Sequence, residues 1–239
     1  MREVIVIASG KGGVGKTVFT ANMGAILAQK GFSVVLIDMN IGLRSLDICL
    51  GMENRIVYDI SDVTSGTCRL KQALIKDRRF DKLYLMSAPQ NKSKDNISPE
   101  QIEELCEELK ESFDYIIIDA PTGLDKGFIL AATPADRAVI ITVPEHAAIR
   151  DADMLDQVLE GMGISNKSVV VNKIMPELYG KSLIPEPLEI SESLRASISG
   201  LIQYDLNIHV SANIGVPIVL AKGSYIEKNF SNIVERIIS

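Results

Sequence analysis

Apolar runs of strand length alternate with helically spaced apolar residues along the whole chain. Residues 3–8 form an uninterrupted, β-branched apolar run, which predicts a strand buried on both faces. Residues 17–30 place Phe19, Met23, Ile26 and Leu27 on one helical face, with Gly31 as the stop. Further strands are predicted at 33–38, 82–87, 114–119, 137–143 and 167–172. A helix opens at Ser98, where a serine cap, Pro99 in the first turn and Gln101 three residues past the cap coincide. Its inner stripe is Ile102, Leu105, Cys106 and Leu109, while Glu103, Glu104, Glu107 and Glu108 face water. A second helix is predicted over 151–162, a surface loop carrying Pro176, Pro185 and Pro187 over 176–191, and a closing helix over 224–238. This alternation predicts an α/β fold, a mostly parallel twisted sheet with helices on both faces. No linker, repeat or low-complexity tract divides it, so one domain over residues 1–239 is expected.

The densest chemical signal follows the first strand. Ser9-Gly10-Lys11-Gly12-Gly13-Val14-Gly15-Lys16-Thr17-Val18 contains the phosphate-cradling pattern G-x-x-x-x-G-K-[ST], with Gly10, Gly15, Lys16 and Thr17 in the fixed places. Glycines let backbone N–H groups turn onto a phosphate, and the following helix aims its positive end at the same anion. Lys16 is placed to reach the terminal phosphate oxygens and the Thr17 hydroxyl to ligate Mg²⁺. A Gly-rich turn would explain the glycines but not Lys16-Thr17 in register after a strand and before a helix. A P-loop NTPase is therefore the predicted fold, with a nucleoside tri- or diphosphate and Mg²⁺ as its cofactors. Two predicted strands end in acids, Asp38 and Asp119, and are expected to flank the P-loop strand with both carboxylates near the metal.

Bulk composition narrows the class. The chain is 46% hydrophobic but 5% aromatic with no Trp, which suits a Val/Ile/Leu core around a parallel sheet. A net charge of −6 without Lys/Arg clusters argues against a nucleic-acid binder. The three cysteines, Cys49, Cys68 and Cys106, have neither C-x-x-C pairing nor His at ligand spacing, and read as reduced structural thiols of a cytoplasmic protein. No run approaches the ~18 apolar residues of a membrane span.

Lys11 lies inside the loop, where an ordinary P-loop needs no charge. The string Lys11-Gly12-Gly13-Val14-Gly15-Lys16-Thr17 resembles the deviant Walker A motif of the MinD/ParA ATPases. The segments 38–47, 55–59 and 70–77, with Pro144-Glu145 and Arg150-Asp151-Ala152-Asp153, are similar to the MinD branch, a family of bacterial cell-division ATPases. The resemblance implies an ATP-dependent homodimer in which Lys11 contacts the partner's nucleotide. It implies catalytic roles for Lys11, Lys16, residue 40 and Asp119, and Mg²⁺ ligation through Thr17, Asp38 and Asp119. It also implies a γ-phosphate-sensing amide at Gly123. A surface around Glu145, Arg150, Asp151 and Asp153 would engage a MinC-type division inhibitor, although an ordinary solvated helix start explains the same charges.

The string Asn172-Lys173-Ile174-Met175 lacks the final Asp of the guanine-reading Asn-Lys-x-Asp, so an adenine base, and with it ATP or ADP, is expected; the resemblance implies that Asn172 and Lys173 hold it beside Tyr204 and Asp205. Three departures from the family stand out. Asn40 occupies the place of the acid that orients attacking water, so slowed hydrolysis is expected. The family's proline after the next strand is Gln203 here. The last helix carries only Lys228 and Arg236 against Glu227 and Glu235, so weak autonomous membrane binding is expected, with peripheral association requiring a basic amphipathic tail that this sequence lacks. The competing readings are a ParA-type or flagellar-number positioning ATPase, a nitrogenase-reductase-like electron carrier without its cluster cysteines, and a non-hydrolysing ATP-switched scaffold.

Overall fold

The computed structural model describes residues 2–90, 97–181 and 183–239. Its first unit is β1 (Glu3–Ala8), a loop, α1 (Lys16–Gln29) and β2 (Val34–Asp38). Three short helices follow, α2 (Leu46–Cys49), α3 (Ile60–Thr64) and α4 (Leu70–Ala73), and then β3 (Ile75–Lys76) and β4 (Leu83–Met86). The next elements are α5 (Pro99–Lys110), β5 (Tyr115–Asp119), α6 (Lys126–Ala132), β6 (Arg137–Thr142), α7 (His146–Gly161) and β7 (Lys167–Ile174). The chain finishes with α8 (Pro187–Ser193), β8 (Ser197–Gln203), α9 (Leu206–Asn213) and α10 (Tyr225–Ile238). The eight strands form one sheet in the order β3-β4-β2-β5-β1-β6-β7-β8, parallel throughout except for β3 against β4.

The sheet is buried on both faces because β1, β2, β5 and β6 have no polar alternation: every residue in them is buried. Side chains alternate across it with period two. Val4, Val6 and Ala8 of β1 pack with Ile102, Leu105, Phe128 and Leu155 of α5, α6 and α7 on one side. Ile5 and Ile7 pack with Phe19, Met23, Phe230 and Ile233 of α1 and α10 on the other. The helix predicted from Ser98 forms with its capping box intact, the Gln101 backbone N–H donating to Ser98 Oγ at 3.3 Å and the Ser98 backbone N–H donating back to Gln101 Oε1 at 2.9 Å.

Three local expectations are corrected. The strands bearing Asp38 and Asp119 do not flank the P-loop strand: β5 pairs with β1, β2 pairs with β5, and β1's other neighbour is β6. Both acids therefore stand on one side of the loop. Helix α7 starts at His146 rather than at 151, because Ala148, Ile149 and Ala152 continue the buried stripe of Leu155 and Leu159 by another turn. The 176–191 segment is not a plain loop; it contains a 3₁₀ turn at Pro176–Leu178 and most of α8, with Pro187 in the first helical turn where a missing N–H costs nothing.

Candidate functional site

The loop between β1 and α1 is shaped by two glycines. Gly15 stands at the α1 N-cap with φ 95°, a left-handed conformation that L side chains rarely adopt, and no side chain caps the helix. The first-turn N–H groups are thus left for an outside acceptor, and the helix dipole favours a negative one. At Gly10 the constraint is space: a Cβ there would lie 2.6 Å from Asp151 Cβ and 2.9 Å from the Asp151 carbonyl oxygen. The start of the loop is thereby pressed against α7. Its far end is held by β7, where Asn172 Nδ2 donates to the Val14 carbonyl at 2.8 Å and Lys173 Nζ to the Gly13 carbonyl at 2.6 Å.

Asp119, at the end of β5, is fully buried and organises the charged side of the loop. Lys16 Nζ donates to its Oδ1 at 2.8 Å, Thr17 Oγ1 to its Oδ2 at 2.7 Å and Thr20 Oγ1 to its Oδ1 at 3.2 Å. Burial raises the Asp119 pKa, the Lys16 charge opposes that, and the neighbouring Asp38 charge adds to it.

Asp38 has a different setting. Its Oδ2 accepts the Ser45 and Leu46 backbone N–H groups at 2.9 and 3.0 Å, and its Oδ1 accepts the Asn40 N–H at 2.8 Å. It therefore fixes the 39–46 loop and the start of α2. Asn40 links the two acids, its Nδ2 lying 3.0 Å from Asp38 Oδ1 and 3.1 Å from Asp119 Oδ2. The donor half of the amide is spent on this bridge.

Several residues marked from sequence have partners that sequence could not show. Lys11 forms an exposed ion pair with Glu145 of the same chain. The Gly123 amide donates to the Ser9 carbonyl at 3.0 Å. Asp205 caps α9 by accepting the Asn207 N–H at 2.7 Å. Glu145 and Arg150 are exposed, whereas Asp151 and Asp153 are half-buried, and Asp153 accepts from Gln157 at 2.8 Å. Gly12 and Gly13 have open space above them.

A cavity of about 640 Å³ joins these groups. It is lined by Gly13 to Val18, Asn40, Asn172, Lys173, Tyr204 and Asp205, all singled out from sequence. It is also lined by Leu43, Thr122, Gln203, Ile208, His209 and Ala212, which were not assigned to the site. The i, i+4 spacing of Ile208 and Ala212 is the one signal that could have placed them on a common face. Asp38, Asp119 and Lys11 do not line this cavity; the acids back it through Lys16, Thr17 and Asn40.

A family model described as an AAA domain matches residues 2–171. The septum site-determining protein MinD of Synechocystis is 45% identical over 238 residues, covering 99% of this chain and 90% of that protein. The Aquifex aeolicus MinC:MinD cell division protein complex contains a chain of TM-score 0.92 and 43% identity, covering 99% of this chain and 95% of its own. MinD complexed with Mg-ADP from Pyrococcus horikoshii superposes with TM-score 0.89 at 26% identity, covering 99% of this chain and 96% of its own. With a strand–P-loop–helix opening, a parallel sheet in this order and relatives aligned over nearly the full length, the chain belongs to the MinD family of septum site-determining proteins.

Proposed function

We propose that this chain is a Mg²⁺-dependent, ATP-switched MinD ATPase that acts in division-site placement as one domain. The observation that carries the reading is the convergence of Lys16, Thr17 and the uncapped start of α1 on a 640 Å³ cavity backed by Asp119. The residues present fit a nucleotide with its metal. Ser9 Oγ is buried at the mouth of the loop without a hydrogen-bond partner among the described residues, and Lys16 is a buried cation. A hydroxyl and carboxylates are the hard oxygen donors Mg²⁺ prefers, and the absence of a three-acid cluster among the described residues suits an ion held mainly by phosphates and water. When bound, Mg²⁺ neutralises charge on the phosphates.

The chain's own groups then divide the work. The P-loop amides of Gly10 to Val18 and the Lys16 ammonium bind the phosphates. Thr17 Oγ1 and the Asp119 carboxylate, 2.7 Å apart, would hold the metal or its waters, with Asp38 fixing the loop that carries Asn40. Asn40 has only its side-chain oxygen free to hold a water, and an amide does not accept a proton, so turnover is slow. That same feature favours a second reading, a scaffold that switches on ATP binding with little hydrolysis. Lys11 exchanges Glu145 for the nucleotide of a second copy, giving an ATP-dependent homodimer. The Glu145, Arg150, Asp151 and Asp153 surface receives a MinC-type inhibitor. Among the described residues no helix is long and apolar enough to cross a membrane, and the balanced charges of α10 give only weak lipid affinity.

Lys16→Ala tests the reading. Calorimetric titration with Mg-ATP should show binding in the wild type and none in the variant, and equal affinity in both would refute it. Charge reversal at Asp151 and Asp153 should abolish capture of MinC; an unchanged pull-down would reject that surface.

A further inference from the structure

Exposed apolar surface is concentrated at one place in the fold. Among the described residues, seven of the fourteen large apolar side chains left exposed fall between Leu201 and Tyr225. Three of them, Leu206, Val210 and Ile214, are 61%, 47% and 65% exposed and follow one another at four-residue spacing along α9. At 3.6 residues per turn they fall within about 80° of one another, in a row roughly 12 Å long. Ile214 keeps to the row, its N–H donating to the Val210 carbonyl at 3.1 Å. The other side of α9 is already used: Ser211 is buried, and Ile208 and Ala212 line the P-loop cavity, which none of the three row residues lines. Beyond the row, a Cβ on Gly215 would meet Gly51 Cα at 2.5 Å and the Ile48 carbonyl oxygen at 3.1 Å. Helix α2 therefore abuts this end of α9 and adds the exposed Ile48 to the exposed Val216.

Charge decides what such a face can meet. Residues 206–221 contain no Asp, Glu, Lys or Arg, in a chain of which 23% is charged. A lipid surface is held by Lys and Arg flanking an apolar face, and a nucleic acid by clustered cations; this segment offers neither. A partner with a charged face would lose the hydration of its charges and find nothing to pair them. A second copy brings a row equally free of charge. It also brings the exposed Asn207 and Asn213 that border the row, whose amides both donate and accept. With two such helices antiparallel about a two-fold axis, Val210 meets its own counterpart and Leu206 meets Ile214.

We infer that the Leu206, Val210 and Ile214 face of α9 is a self-association surface that joins two copies of this chain without nucleotide. It is separate from the loop face used by the ATP-dependent dimer proposed above. Five apolar side chains a side, against the roughly 20–30 residues of a standard interface, make it a weak contact. The dissociation constant is expected on the order of 10–100 µM, so dilute protein is monomeric.

The test is sedimentation equilibrium of the nucleotide-free protein over concentrations bracketing that value. Wild type should pass from monomer to dimer, and Lys11→Ala should do the same, because the contact does not use the loop lysine. Val210→Asp should stay monomeric throughout while melting as wild type does. Val210→Cys, at the axis, should form a disulfide dimer under copper–phenanthroline oxidation that wild type, with the same three cysteines, does not form. Phosphatidylglycerol vesicles should pellet neither wild type nor Val210→Asp. The assignment is overturned by a wild type that is monomeric at every concentration, or by Val210→Asp dimerising like wild type. Val210→Cys cross-linking no more than wild type, loss of association in Lys11→Ala, or vesicle binding that Val210→Asp abolishes would overturn it equally. None of these measurements contains nucleotide, so their failure is distinct from failure of the ATP-switch reading.

Discussion

Asn40→Asp changes one atom type at the point where two carboxylates meet. In the structure the Asn40 amide donates to Asp38 at 3.0 Å and to Asp119 at 3.1 Å. The substitution removes both donations and sets a third carboxyl against the other two. Hydrogen bonds to charged groups contribute about 1.5–3 kcal/mol each. Asn40 is only half-buried, which discounts the pair to about 3 kcal/mol. For a domain of this size that corresponds to a fall of roughly 6–12 °C in the melting temperature of the nucleotide-free protein. The loss should depend on pH. Crowding by two carboxylates raises the folded pKa of an acid at position 40 above its unfolded value of about 3.9. As pH rises past that value the unfolded chain releases its proton first, so the deficit is smallest below about pH 4, where the protonated acid still donates one of the two hydrogen bonds, and grows toward neutrality. Mg-ATP should reverse the ranking, because a cation relieves the repulsion and the new carboxylate can orient water and take up its proton. Single-turnover hydrolysis should rise by about 10²-fold or more. Melting curves of the nucleotide-free proteins within about 2 °C of one another would refute the bridging role. Equal single-turnover rates would show that residue 40 is a spacer.

Three further outcomes follow from the same geometry. Gly10→Ala drives a methyl group into Asp151 and should cost about 1–3 kcal/mol while weakening Mg-ATP binding, as read by urea unfolding and calorimetry; unchanged affinity would show that α7 yields without moving the loop. Burial pushes the Cys106 thiol up to about 12, so it should resist alkylation at pH 8 until the protein unfolds, as peptide mass spectrometry would record. Because the unfolded thiol ionises near pH ~8.5, this group's contribution should leave stability unchanged below that point and lower it between about pH 9 and 12, as alkaline urea melts of wild type against Cys106→Ala would show. Glu145→Gln frees Lys11 from its exposed partner and should alter stability by under ~1 kcal/mol yet promote ATP-dependent dimerisation by light scattering, whereas Lys11→Ala should stay monomeric with ATP bound.

The sequence by itself determined what is local. The β1–loop–α1 unit, the buried strands, the Ser98 capping box and the Lys16-Thr17 pair each lie within a short stretch whose periodicity or spacing has one physical meaning. Strand order is not local, so Asp38 and Asp119 were assigned to opposite sides of β1 when hydrogen-bond pairing sets β5 and then β2 beside it. Helices α2, α3 and α4 span four or five residues, too few for a 3.6-residue period to register, and the first turn of α7 buries alanine, which carries little apolar signal. Only the tertiary structure decided how the committed and uncommitted polar groups divide. It paired Lys11 with Glu145, tied Asn172 to the Val14 carbonyl and placed Asn40 between two acids. A hydrogen bond between residues more than a hundred positions apart leaves no mark in composition or periodicity; it exists only once the sheet has brought the strand ends together.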